Sequence, residues 1–156
     1  MDKQIQIIKA LLEEILERMT ISSHVEFVED KNHPRFIIKT KEGSVLIGEE
    51  GNHLLALNHL VKKISENRFR SEGLEQIIFF LDVNDYQMKK IEELENEARM
   101  SAQRVRFFKK ELEMSPMSSY DRRIVHSLLG EYPDIKTESV GDEPFRRVII
   151  KPILET

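Results

Sequence analysis

The sequence contains no cysteine, which excludes disulfides and thiolate zinc sites and makes a reducing, cytoplasmic setting the default. No apolar run is long enough to span a bilayer, and no basic-then-apolar leader is present, so nothing in the sequence directs the chain to a membrane or to secretion. Also missing are the Gly-x-x-x-x-Gly-Lys-Ser/Thr run that cradles nucleotide phosphates, the Gly-x-Ser-x-Gly elbow and the His-Glu-x-x-His helix. His24, His33, His53 and His59 stand at no metal-ligand spacing with carboxylates, and His126 could act as a general base only beside a partner that the sequence does not display. These absences predict a protein that is not an enzyme and uses neither cofactor nor metal.

What is present suits one ordinary domain or two small ones: 156 residues, 40% hydrophobic and 33% charged. The net charge of −4 is unevenly spread. Residues 1–98 hold 13 Lys and Arg against 19 Asp and Glu, whereas residues 99–156 hold 11 against 9. A polyanionic partner would therefore find its better match in the C-terminal third.

Along the chain, Asp2 is expected to cap a helix burying Ile5, Ile8, Leu12, Ile15 and Met19. Val25 and Phe27 alternate with polar residues in a half-buried strand, Asp30 to Pro34 form a turn, and Arg35 to Thr40 a second strand. Ser44 to Ile64 reads as a helix, a Gly48-Glu49-Glu50-Gly51 break and a second helix burying Leu54, Leu57, Val61 and Ile64. Glycines at such a break allow positive φ and close approach of another backbone, and the free N–H groups of the second helix favour an anion there. Glu75 to Val83 contains a continuous apolar run and is expected to be a central strand covered on both faces.

Asp85 should cap a long helix, Tyr86 to about Phe108, whose buried face is Ile91, Leu94, Ala98, Ala102 and Val105. Its acids come early and its bases late, which suits the helix dipole and leaves a basic end. A short strand at Leu112 to Met114 follows, then a helix from Tyr120 to Gly130 with Ser118 and Asp121 at its start, burying Ile124, Val125, Leu128 and Leu129. Strands at Ile135 to Val140 and Arg147 to Ile153 close the chain. Arg122 and His126 lie four apart and share a helix face on which they could grip one anion, with Arg123 turned away by about 100°.

Ile47-Gly48-x-x-Gly51 between two helices, in the order helix, strand, strand, helix, helix, strand, resembles a type II KH nucleic-acid-binding domain. The stretch from about Leu112 to Pro152, with Arg122, His126 and Gly141-Asp-Glu-Pro-Phe-Arg-Arg, resembles the R-3-H domain, named for its Arg and His separated by three residues. Together they are similar to the Jag family of SpoIIIJ-associated proteins, also called KhpB. The resemblance implies an α+β chain of three parts: a KH domain over 1–84, a connecting helix over 85–108 and an R-3-H domain over 109–156. It implies binding of single-stranded RNA, with single-stranded DNA as a competitor, in the bacterial cytoplasm, and a link to cell elongation and division and to a YidC-type insertase. A KH-only protein, or a second copy, is the implied protein partner. Arg122, His126, Arg123, Arg146 and Arg147 carry over as nucleic-acid contacts, and Gly48 to Gly51 as a backbone clamp. Family members with an additional N-terminal domain set the expectation that this chain lacks it.

Glu49 and Glu50 depart from the clamp pattern. Two exposed carboxylates about 6 Å from a phosphate would each repel it by roughly 0.5–1 kcal/mol, together about a tenfold loss of affinity. The rival expectation is accordingly an interaction adaptor or dimerisation module whose loop no longer meets RNA.

Overall fold

The computed structural model describes residues 1–29 and 34–153 of the chain and divides it into two units, Met1–Gln87 and Met88–Thr156. Asp30 to His33, most of the expected turn, lie outside the described residues.

The first unit runs α1 (Asp2–Arg18), β1 (Ser23–Val28), β2 (Arg35–Thr40), α2 (Gly43–Ile47), a single 3-10 turn (Glu49–Gly51), α3 (Asn52–Ser71) and β3 (Phe80–Val83). Its sheet has the order β1-β2-β3, antiparallel between β1 and β2 and parallel between β2 and β3. Register pairs Val25 with Ile38 and Phe36 with Leu81, so one face of the sheet is apolar across all three strands. On it pack Ile8, Leu12 and Leu16 of α1 with Leu54, Val61 and Phe69 of α3. Phe36 anchors the centre, 5.3 Å from the Phe27 ring and 5.7 Å edge-on from Phe79.

Three expectations need correction here. Asp2 is the first helical residue instead of the cap, and Met1 takes the cap position. The buried stripe of α1 is Gln4, Ile8, Leu11, Leu12 and Leu16, while Met19 lies beyond the helix and is exposed. The apolar run at 75–83 is neither central nor doubly covered. Only Phe80 to Val83 pair, β3 is an edge, and β2 is the middle strand. Ile78 and Phe80 alternate outward while Phe79 and Leu81 turn into the core, so an uninterrupted run conceals a one-sided burial pattern.

The N–H groups of Phe80 and Asn84 reach carbonyls of Pro34 and Ile38, which directs those of Leu81 and Val83 away from β2. Leu81 N–H donates to Asn58 Oδ1 (3.3 Å) and Val83 N–H to Asp82 Oδ1 (2.8 Å). Asp82 Oδ1 also accepts from the N–H of Gln87 (3.0 Å), satisfying a donor of the following helix. Asp85, expected as that helix's cap, directly precedes it and takes Lys39 Nζ at 2.6 Å.

The helix α4 (Tyr86–Phe108) leads into the second unit, followed by β4 (Leu112–Glu113), α5 (Ser119–Leu129), β5 (Ile135–Val140) and β6 (Arg147–Pro152). The sheet is antiparallel throughout, in the order β4-β6-β5. Its core joins Ala98, Ala102 and Val105 of α4 to Val125 and Leu129 of α5 and Ile135, Val148 and Ile150 of the sheet. Ile91 and Leu94 of α4 and Ile124 and Leu128 of α5, expected to be buried, are only half-buried. Ser118 caps α5 as its sequence suggests, its hydroxyl accepting from the N–H of Asp121 at 3.2 Å.

Candidate nucleic-acid interface

Helical spacing brings Arg122 and His126 to one face of α5, and the structure sends each to a neighbour in the fold. Arg122 is only 8% exposed. Its Nη1 donates to Met117 O at 2.7 Å and its Nη2 to Glu143 Oε1 at 2.8 Å. The residue therefore ties α5 both to the segment before it and to the turn between β5 and β6. Glu143 is well exposed, so the ion pair itself adds little; the buried stem and the bonded carbonyl matter more.

His126 sits against β5. Its Nδ1 lies 2.7 Å from Thr137 Oγ1 and its Nε2 2.7 Å from Ser139 Oγ. Both hydroxyls can donate or accept, so a neutral ring satisfies both contacts by accepting at one nitrogen and donating at the other. Burial, and then the Arg122 charge, hold the imidazole below its ordinary value of 6.5. The neutral ring is thus the native form, and the stability it supports is complete above about 6.5 and lost as pH falls through the lowered folded value. His126 is the only histidine after residue 59. Calorimetry should accordingly show the second unit melting at lower temperature at pH 5 than at pH 7, and His126→Gln should reduce that difference. Asp134 and Glu138, held below the carboxylate range by hydrogen bonds from Arg106 and Lys151, would act only at still lower pH.

The remaining arginines are more accessible. Arg146 donates through Nη1 to Gly141 O at 2.8 Å and through Nη2 to Ser139 O at 3.3 Å, contacts that orient the guanidinium without neutralising it. Arg147 is paired with Glu113 at 2.6 Å. Arg123 is exposed and has no hydrogen bond or ion pair among the described residues. The burial of Arg122 is only faintly marked in the sequence. An apolar stripe running Val125 to Leu129 places residue 122 on its upstream edge, and that was the available signal. Tyr120 and Phe145, both exposed in this unit, were not singled out from sequence either.

In the first unit the Gly48 to Gly51 loop turns through backbone that favours glycine: Gly48 has φ 70° and ψ −175°, and Gly51 has φ 83°. Both glycines are approached from within the chain. A Cβ on Gly48 would lie 2.4 Å from His53 Cγ, and one on Gly51 would lie 3.2 Å from Tyr86 Cε1. His53 Nδ1 donates to Val45 O at 2.7 Å, which seats the ring beside Gly48 and turns Nε2 away from that bond. Glu49 and Glu50 are exposed, and Glu50 itself adopts φ 52°. Among the described residues no group of His, Asp or Glu could hold a metal ion, and no helix is long and apolar enough to cross a membrane.

Residues 89–152 match the R-3-H domain family. The chain is 30% identical over 149 residues to the RNA-binding protein KhpB of Clostridium symbiosum, a match covering 96% of this chain and 64% of that protein. It is 32% identical over 148 residues to the RNA-binding protein KhpB of Bacillus subtilis, covering 94% of this chain and 69% of the relative. Against the RNA-binding protein KhpB of Streptococcus pneumoniae serotype 2 the identity is 27%, over 92% of this chain and 42% of the other.

Proposed function

The chain belongs to the KhpB family, and from that premise we propose that it binds single-stranded RNA and performs no chemistry on it. Membership over 94% of the chain is the observation that carries this reading. Residues 1–84 act as a type II KH domain, 85–108 as the connecting helix, which also lends Ala98, Ala102 and Val105 to the second core, and 109–156 as the R-3-H domain. Arg123, Arg146 and Arg147 supply charge to phosphates, and Arg122 and His126 hold the surface that carries them. Gly48 to Gly51 places the RNA backbone, at a cost set by Glu49 and Glu50. The protein works in the cytoplasm, in the service of cell elongation and division, alongside a KH-only partner or a second copy and with an indirect link to a YidC-type insertase.

The test is fluorescence anisotropy with a short labelled single-stranded RNA across a salt series. A log–log slope of about −0.7 per phosphate, with roughly three to five phosphates engaged, is expected. Arg123→Ala should weaken binding and flatten the slope by about 0.7. Replacing Glu49 and Glu50 by Lys should tighten binding by about tenfold or more. The absence of saturable binding at low salt would overturn the reading in favour of an interaction adaptor.

A further inference from the structure

The end of α4 carries apolar side chains on its outer face as well as its inner one. Ala98, Ala102 and Val105 face the core, yet the helix ends on two adjacent aromatic residues that face water, Phe107 at 81% exposure and Phe108 at 64%. Isolated exposed apolar residues are ordinary, but two phenyl rings in mutual contact are a concentrated apolar surface. Their centroids are 5.0 Å apart and their planes 84° apart, an edge-to-face pair in which one ring supports the other. With Met100, Gln103 and Arg104 they line one shallow depression.

The charge of the segment itself is of one sign, Glu111 being the first acid after it. Residues 99–110 contain no acidic residue and five bases. Arg99 and Arg106 are paired with Glu95 and Asp134. Arg104, three residues before Phe107, and Lys110, just past the helix end, are exposed and have no ion pair among the described residues. Lys109 ends the helix with φ 56°, its N–H still bonded to Val105 O, so the chain turns sharply where the rings stand. The Arg106 bond to Asp134, at 2.6 Å, fastens this end of α4 to the loop before β5. Aromatic faces interleaved with uncommitted cations, on a fastened support, suit bases that stack and phosphates that need a counter-charge. An acidic or apolar protein segment would use only one of those two features.

We propose that Phe107 and Phe108 form a stacking platform for a base of single-stranded RNA, with Arg104 and Lys110 holding the adjoining phosphates. The proposal rests on the RNA-binding reading above and adds base stacking to the contacts assigned to Arg123, Arg146, Arg147 and the Gly48 to Gly51 loop. The chain has no tryptophan, so Phe107→Trp creates a single reporter at the platform.

With the full chain and a short oligouridylate, saturating RNA should quench the emission of Phe107→Trp. Phe107→Ala should weaken binding roughly tenfold, the loss of about one stacked base, and leave the salt slope unchanged. Arg104→Ala should flatten that slope by about 0.7. Circular-dichroism melts should match the parent, since Phe107 is largely outside the core. Parent-like affinity of Phe107→Ala together with unquenched Phe107→Trp overturns the platform while leaving RNA binding standing. Failure of the parent chain to bind RNA at all overturns the RNA-binding reading first. Concentration-dependent association that Phe107→Ala abolishes, with RNA affinity unaltered, assigns the surface to a second copy and also overturns the proposal.

Discussion

Arg122→Ala is expected to lower the stability of the second unit by about 2–3 kcal/mol. The side chain is almost fully buried, and its removal strips the Met117 carbonyl of a 2.7 Å bond and leaves the volume of a long stem unfilled. The lost ion pair contributes less, because Glu143 can turn to water. Calorimetry of the full chain, with hydrogen exchange to assign the transition to α5 and its sheet, is the appropriate measurement. Arg122→Met, which keeps much of the stem, should recover part of the loss. Where the variant is still folded, its RNA affinity should fall less than that of Arg123→Ala. An unchanged melting profile, with binding abolished, would instead make Arg122 a direct phosphate contact.

The second large effect is expected at Gly48. Its φ of 70° with ψ of −175° lies in a region that is essentially confined to glycine, and the added methyl would sit 2.4 Å from the His53 ring. Gly48→Ala should therefore cost about 2–4 kcal/mol or rebuild the loop, part from backbone strain and part from the clash. Adding His53→Ala removes the second part alone, so the double variant should regain some but not all of the lost stability in denaturant titrations. Gly51→Ala should cost less, about 1–2 kcal/mol, since its φ of 83° with ψ of 12° is the ordinary left-handed region and Tyr86 is 3.2 Å away. A double variant no more stable than Gly48→Ala would show that the ring contact at Gly48 carries no weight.

Element order was legible because periodicity and punctuation agreed: Gly48 and Gly51 divide α2 from α3, and Ser118 opens α5. What failed was depth. The run around Ile77 to Leu81 looks uniformly buried because an edge strand with one open face can carry apolar residues on both sides. In α1, the leucines at 11 and 16 compete with Ile5 and Ile15 for the same stripe, and only packing against α3 decides which turn inward. The candidate site was legible as a set of residue types and not as a set of roles. A sequence cannot say that Glu143, distant in the chain, will meet Arg122, or that Thr137 and Ser139 will occupy both nitrogens of His126. In the sequence Phe107 and Phe108 read as the end of a helix, although two adjacent rings outside the buried stripe and amid bases are a readable departure.

The donors on the outer side of β3 bear on how this protein can associate. A sheet edge ordinarily offers N–H groups that recruit an incoming strand, and strand addition is a common route to dimers and to aggregation. Here Asn58 and Asp82 already occupy the two outward N–H groups of a four-residue strand. An incoming strand would have to displace both side chains to use either donor, so this edge offers it carbonyl acceptors alone and is a weakened template for sheet-to-sheet growth.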